Sequence, residues 1–125
     1  MINVGQYCIN VEDLERSVQF YSEVMGLTLE QRIEIPGTIE AILVGDNGIS
    51  KIQLAQQLES PGPIRQDNGF WKLYLETDDC QALYDKAVAA GATGVMEPMQ
   101  LDEWKVTIAF VTDPDGYTIE LMQSH

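Results

Sequence analysis

Apolar and polar residues alternate along this chain in two rhythms, and the order of those rhythms occurs twice. Residues 6–13, Gln-Tyr-Cys-Ile-Asn-Val-Glu-Asp, read as a strand ending in acidic residues that can cap a helix. Leu14, Val18, Tyr21 and Met25 then share one face of a helix over 14–25, which Gly26 stops. Three strands follow, over about 28–35, 38–45 and 49–55. Residues 72–79, Lys-Leu-Tyr-Leu-Glu-Thr-Asp-Asp, repeat the strand and the acidic cap. The helix recurs over 80–90 and its glycine stop at Gly91. Three more strands follow, over about 93–99, 104–112 and 117–123.

Between the two runs lies Gln56 to Gly69, with two prolines, two glycines and many polar residues, and it reads as a linker over 56–69. The pattern predicts an α+β fold of two βαβββ modules, about 1–55 and 70–125, within one domain of 125 residues. Such modules form a curled mixed sheet around a cleft, with the helices on the convex face. Alternation then turns Gln6, Cys8 and Asn10 toward the cleft and packs Ile9 and Val11 on the helix. In the second module Lys72, Tyr74 and Glu76 face inward, with Leu73 and Leu75 in the core. Trp104 opens the next-to-last strand at the rim, and Trp71 reads as an interface residue.

Charge narrows the partners. Seven basic against 20 acidic residues give a net charge of −13 without long acidic runs, so the charge covers a folded surface. With no basic face to neutralise phosphates, nucleic acid is not an expected partner. No stretch of about 18 apolar residues is present, so no membrane span is expected. The start, Met-Ile-Asn-Val-Gly, lacks a basic-then-apolar leader, and Cys8 and Cys80 read as reduced thiols, which together predict a cytoplasmic protein. The sole histidine is His125, the last residue, so a Ser/His/Asp triad is not expected.

The most informative segment is Phe110-Val-Thr-Asp-Pro-Asp-Gly-Tyr-Thr-Ile-Glu-Leu121, a strand, a tight turn and a second strand. Pro114 presets φ and Gly116 accepts a positive φ. Beyond the turn Ile119 and Leu121 point one way and Thr118, Glu120 and Met122 the other. A carboxylate in mid-strand belongs in water unless its face lines a cavity, where it becomes a ligand or a charge partner.

Two motifs, Val11-Glu-Asp-Leu-Glu-Arg-Ser-Val-Gln-Phe-Tyr21 with Gly26-Leu27, and Asp113-Pro-Asp-Gly-Tyr-Thr-Ile-Glu-Leu121, resemble those of the vicinal oxygen chelate superfamily. That superfamily contains glyoxalase I, extradiol dioxygenases, and fosfomycin and bleomycin resistance proteins. In its metal-using members four strand positions bind a divalent ion, and the resemblance maps them onto Gln6, Gln53, Lys72 and Glu120. Glu120 suits a ligand and Gln6 is tolerable. Gln53 is a weak neutral donor, and a protonated lysine has no lone pair to offer. The set implies a lost metal site and no cofactor. It also implies a Lys72–Glu120 ion pair in the metal's place, unless both heads simply reach solvent.

The candidate ligand-binding residues are Gln6, Cys8, Gln53, Lys72, Tyr74, Glu76, Trp104 and Glu120. Glu120, or else Glu76, is the candidate general base should there be catalysis, and Cys8 near Lys72 reads either as an activated thiol or, as is more common for such a cysteine, as inert packing. The aromatic and acidic lining points to a planar or cationic small molecule. On these grounds the chain is expected to be a metal-free small-molecule binding protein, similar to bleomycin-type resistance proteins and acting as a homodimer. The alternatives are a glyoxalase- or dioxygenase-related lyase or isomerase with an atypical or dimer-completed site, and a degenerate member serving as an interaction domain.

Overall fold

Asp13 and Asp79 each open a helix in the computed structural model, which describes all 125 residues. The Asp13 carboxylate accepts from the backbone N–H of Arg16 at 3.1 Å, and Asp79 accepts from that of Ala82 at 3.0 Å. Each cap satisfies a donor that a helix start leaves without a partner. The chain divides into two compact units, Met1–Ile64 and Arg65–His125, parted inside the Pro/Gly-rich stretch.

The first unit runs β1 (Gln6–Asn10), α1 (Leu14–Gln19), β2 (Thr28–Ile35), β3 (Thr38–Val44) and β4 (Lys51–Gln57). The sheet order is β1-β4-β3-β2, with β1 parallel to β4 and the other neighbours antiparallel. The second unit runs β5 (Leu73–Glu76), α2 (Cys80–Ala89), β6 (Gly94–Leu101), β7 (Val106–Thr112) and β8 (Thr118–Ser124). Its order, β5-β8-β7-β6, again has a parallel first pair. Each unit is therefore βαβββ in an α+β fold built on two four-stranded mixed sheets. A parallel pair cannot be closed by a tight hairpin, so the helix and two intervening strands make the crossover.

The same backbone and side-chain bonds tie each unit together. Val11 N–H donates to Ala55 O at 2.8 Å, and Thr77 N–H to Met122 O at 2.9 Å. The first helical N–H of α1, on Leu14, donates to the Gln56 side chain at 2.8 Å; that of α2, on Cys80, donates to the Gln123 side chain at 2.9 Å. These glutamines sit on β4 and β8, three residues beyond Gln53 and Glu120 respectively. Each thus locks its helix start to the end of the last strand in its unit.

The core of each unit follows the apolar pattern. Ile9, Val11, Leu14, Val18, Tyr21, Leu43 and Leu54 are buried in the first; Cys80, Ala87, Ala109, Val111, Ile119 and Leu121 are buried in the second. Burial of these apolar surfaces supplies most of the drive to fold. Leu73 and Leu75, expected in the core, are only half-buried, because β5 is an edge strand with sheet on one side alone.

Three local differences from the expected elements have physical causes. The helix expected over 14–25 is α-helical only to Gln19 and continues as a π-helical turn, Phe20–Val24, in which Met25 N–H reaches Phe20 O at 2.9 Å. The Ser22 hydroxyl donates to Val18 O at 2.6 Å, occupying a carbonyl that the α-helical ladder uses. Trp104 does not open β7 but lies in the turn between β6 and β7, and the strand starts at Val106. That turn closes with Lys105 at φ 54°, a left-handed conformation that alternation does not reveal. Finally, β5 starts at Leu73, leaving Lys72 just ahead of its strand. No helix is long and apolar enough to cross a membrane.

Candidate active site

The β7–β8 turn fixes where Glu120 stands. Asp113 is buried, and its carboxylate accepts from the backbone N–H groups of Asp115 and Tyr117, each at 2.9 Å. Gly116, at φ 90°, donates its N–H to Asp113 O at 3.0 Å, a conformation costly for a residue bearing Cβ. This turn sets the register Phe110↔Glu120, while the parallel pair sets Tyr74↔Glu120. The carboxylate of Glu120 therefore projects from a row flanked by two aromatic side chains on neighbouring strands.

Lys72, two residues before Tyr74, folds its stem over this row. Its ammonium donates to Glu120 Oε1 at 2.6 Å, forming the expected ion pair. The Nζ atom also lies 3.9 Å from the centroid of the Trp71 ring, 4.8 Å from that of Tyr74 and 5.4 Å from that of Phe110. Attraction to ring faces strengthens where water is excluded. Only 11% of the lysine side chain and 8% of the glutamate side chain are exposed, so the pair is not a solvent-facing contact. The hydrogen bond to Glu120 raises the Lys72 pKa, against the burial that lowers it.

The equivalent corner of the first unit is neutral. Gln6 stands two residues before Cys8, whose register partner is Gln53, as Lys72 stands two before Tyr74, partner of Glu120. Gln6 donates its side-chain amide to Gln53 Oε1 at 2.7 Å, and Gln53 donates in turn to the Glu40 carboxylate. Further along the same face Gln57 donates to Asn10 Oδ1 and accepts from Thr38 Oγ1, each at 3.1 Å. The thiol of Cys8 is pushed above its ordinary value by partial burial and then by the Glu40 carboxylate. Its neighbouring charge is thus negative, which suppresses thiolate and argues against the activated-thiol alternative. Cys80 is buried and its Sγ approaches Leu121 O at 3.7 Å, a packing position.

Neither corner by itself offers a divalent ion a full set of free donors. Gln53 Oε1 is taken by Gln6, and Lys72 brings a cation with no lone pair. The sole imidazole, His125, shares a 2.6 Å hydrogen bond with Thr107 Oγ1 at the end of the chain. No group of three or more His, Cys, Asp or Glu side chains is arranged to hold a metal ion.

Of the sequence candidates, Gln6, Cys8 and Gln53 share one face of the first sheet. Lys72, Tyr74 and Glu120 converge in the second unit, while Glu76, two residues on from Tyr74, is exposed. Trp104, 70% exposed, stands in the β6–β7 turn and not on these strands. Phe110, Trp71 and Glu40 are site residues that alternation alone does not single out. Phe110 becomes legible once the hairpin is folded about Asp113–Gly116, since the register then sets it opposite Glu120.

The duplicated βαβββ chain, with its two four-stranded mixed sheets, has the fold of the vicinal oxygen chelate class. The match of residues 3–121 to the Glyoxalase/Bleomycin resistance protein/Dioxygenase superfamily shows that the chain belongs to that family. It is 34% identical over 119 residues to a probable lactoylglutathione lyase of Synechocystis sp., covering 93% of this chain and 91% of the relative. It is 31% identical to a probable lactoylglutathione lyase of Vibrio cholerae, covering 93% of this chain and 86% of that one. Glyoxalase I from Zea mays shares the fold with a TM-score of 0.84 at 27% identity, covering 95% of this chain but only 43% of the maize chain.

These relatives overturn the expectation of a binding protein that sequesters a cationic or aromatic compound. The likeness runs along almost the whole chain and is to proteins named as lyases. The geometry gives the physical reason. The seat for a cation among Trp71, Tyr74, Phe110 and Glu120 is filled by the chain's own Lys72. An aromatic and acidic inventory read from sequence looks like a cation trap only while its internal cation goes uncounted.

Lys72→Met should lower stability by about 3 kcal/mol, because it strands a buried carboxylate. With the Lys72 pKa raised by folding, the pair's contribution is complete below the ordinary lysine value, about 10.4, and is lost as pH climbs through the higher folded value. Urea unfolding from pH 8 to 11 should show that extra alkaline loss in the wild type and not in Lys72→Met. For Cys8, alkylation of the native protein at pH 8 should be slower than that of a free thiol and should accelerate above its ordinary range. Fast labelling near neutrality would contradict the assigned environment. Cys80 should label only after unfolding.

Proposed function

We propose that this chain is a glyoxalase-related lyase that interconverts a hemithioacetal, formed from a thiol and a 2-oxoaldehyde, with the isomeric 2-hydroxyacyl thioester. The relatives' name, lactoylglutathione lyase, describes an enzyme of one such thioester, and the whole-chain likeness supports the same reaction class here. The observation that carries the reading is Glu120. It is a largely buried carboxylate, fixed by the turn at Asp113–Gly116 and projecting from a face lined by Tyr74 and Phe110.

The reaction needs one such group. A carboxylate takes the proton from the carbon bearing oxygen and sulfur, and the freed electron pair forms the enediolate. The same group then returns the proton to the adjacent carbon, while the hydroxyl proton of the first carbon moves to the oxygen of the second. One carbon rises to the thioester level as its neighbour falls from ketone to alcohol, so no outside oxidant or reductant takes part. A positioned acid–base group typically contributes about 10²–10⁴ in rate. On the second unit, Lys72, Tyr74 and Glu76 are proposed to contact substrate.

The test is thioester formation from hemithioacetals of glutathione and of smaller thiols, followed by ultraviolet absorbance. Glu120→Gln should lower kcat by about 10²–10⁴ while the far-ultraviolet circular dichroism spectrum is retained. Absence of turnover with every thiol, with and without added divalent ions, would sink the reading.

We also propose that the protein is a homodimer. The edge strand β1 and the residues before it leave Met1, Ile2, Val4 and Tyr7 exposed, and Trp71 is 76% exposed ahead of edge strand β5. Open edges carrying apolar side chains are favoured sites of chain association. Sedimentation equilibrium should give twice the chain mass of 14.0 kDa, and a single 14.0 kDa species would contradict it.

A further inference from the structure

We infer that Lys72 supplies, as a built-in cation, the positive charge that a divalent ion would bring to this reaction, and that the chain works without a metal. The inference rests on the lyase reading above and assigns the charge that the reading requires. Removing a proton beside a carbonyl builds negative charge on oxygen, and a fixed donor aimed at that oxygen stabilises it most where water is excluded.

The structure provides one cation of this kind. Lys72 Nζ is held 2.6 Å from Glu120 Oε1 and within 3.9 to 5.4 Å of three ring centroids. An ammonium has three N–H donors. The bond to Glu120 uses one, the Tyr74 hydroxyl engages a second, and ring faces attract the charge through their quadrupoles without needing a directed N–H bond, which leaves the third N–H. Donor capacity therefore remains for a substrate oxyanion next to the carboxylate that moves the proton. Trp71 and Tyr74 are themselves exposed, so the ammonium is covered by side chains at the surface and not sealed under backbone.

The equivalent corner of the first unit shows that the fold does not itself demand a charge here. Gln6 and Gln53 close the same two positions with a neutral 2.7 Å hydrogen bond. The charge is an addition at one of two equivalent places, the one with the carboxylate. The same ammonium opposes a metal ion directly, since two cations cannot share the Glu120 oxygens without repulsion.

In the step, the substrate C–H bond breaks and its proton passes to Glu120, while the carbonyl oxygen becomes an enediolate oxygen bonded by Lys72 N–H. The proton then returns from Glu120 to the neighbouring carbon, the hydroxyl proton of the first carbon passes to the enediolate oxygen as the Lys72 bond is released, and both residues recover their starting charge. Lys72 touches the reacting oxygen in this scheme and is a catalytic residue.

The experiment uses the intact protein treated with chelator and desalted. Turnover of the hemithioacetal of 2-oxopropanal and glutathione is measured alone and with nickel, zinc or manganese ions. Metal content and thermal shift are measured in parallel. Rates with and without ions should agree within about twofold, and uptake should stay well below one ion per chain. Lys72→Met should lower kcat by about 10²–10³, and Lys72→Arg should recover at least about tenfold of that loss. Thermal melting of each variant reports whether it is folded, and Lys72→Arg together with the wild-type metal measurements decides the matter if Lys72→Met does not fold. Turnover only with an added ion, one ion bound per chain, or an unchanged kcat in folded Lys72→Met would overturn the inference. No turnover under any condition would overturn the lyase reading and the catalytic role of Lys72 with it. The metal-uptake measurement then still decides separately whether Lys72 excludes the ion.

Discussion

The parallel pairing of the first and last strands in each unit is the constraint on which everything else depends. It makes β1 run alongside β4 and β5 alongside β8, so the first strand cannot be joined to its neighbour by a turn. The helix and two further strands must make the crossover, and their length brings the chain back beside its own start. That pairing puts residue 6 near residue 53 and residue 72 near residue 120. It also carries the glutamines at 56 and 123 to the helix starts at Leu14 and Cys80. Fold, caps and site are consequences of one register.

Duplication of that register lets charge be read against a built-in reference. The two units place equivalent positions together, yet one corner is a glutamine pair and the other an ion pair. Breaking a buried ion pair by removing one partner is far more damaging than never having built it. A neutral pair is the undemanding solution, and the first unit uses it. The second carries a lysine and a carboxylate under aromatic cover, a costly arrangement to keep for packing alone. This asymmetry, and not the fold, distinguishes the second unit's corner from the first's.

Much of the architecture was legible because hydrophobic periodicity, acidic caps and glycine stops are local signals, and they occur twice. The Lys72–Glu120 contact was legible too, through the resemblance that maps both residues to one site. Misread features had causes outside any local pattern. The π-helical turn follows a Ser22 hydroxyl occupying the Val18 carbonyl. Trp104 left its strand because Lys105 adopts a left-handed turn. Cys8 gained Glu40 as its charged neighbour from a strand some thirty residues away, so its electrostatics could not be read from its own segment. The functional expectation failed similarly: the aromatic rings were counted as lining for a foreign cation although one of the chain's own was within reach.

By itself the sequence determined the two βαβββ units, the helix caps and the identity of the four residues at the equivalent corners. Those features depend on period, turn chemistry and order, which the chain carries locally. Only the tertiary structure decided that Lys72 is shared between Glu120 and the faces of Trp71, Tyr74 and Phe110, and that Gln53 is consumed by Gln6 and Glu40. Such choices depend on which side chains from distant strands compete for the same few ångströms. That competition is settled by distance and burial, quantities that exist only once the strands are paired.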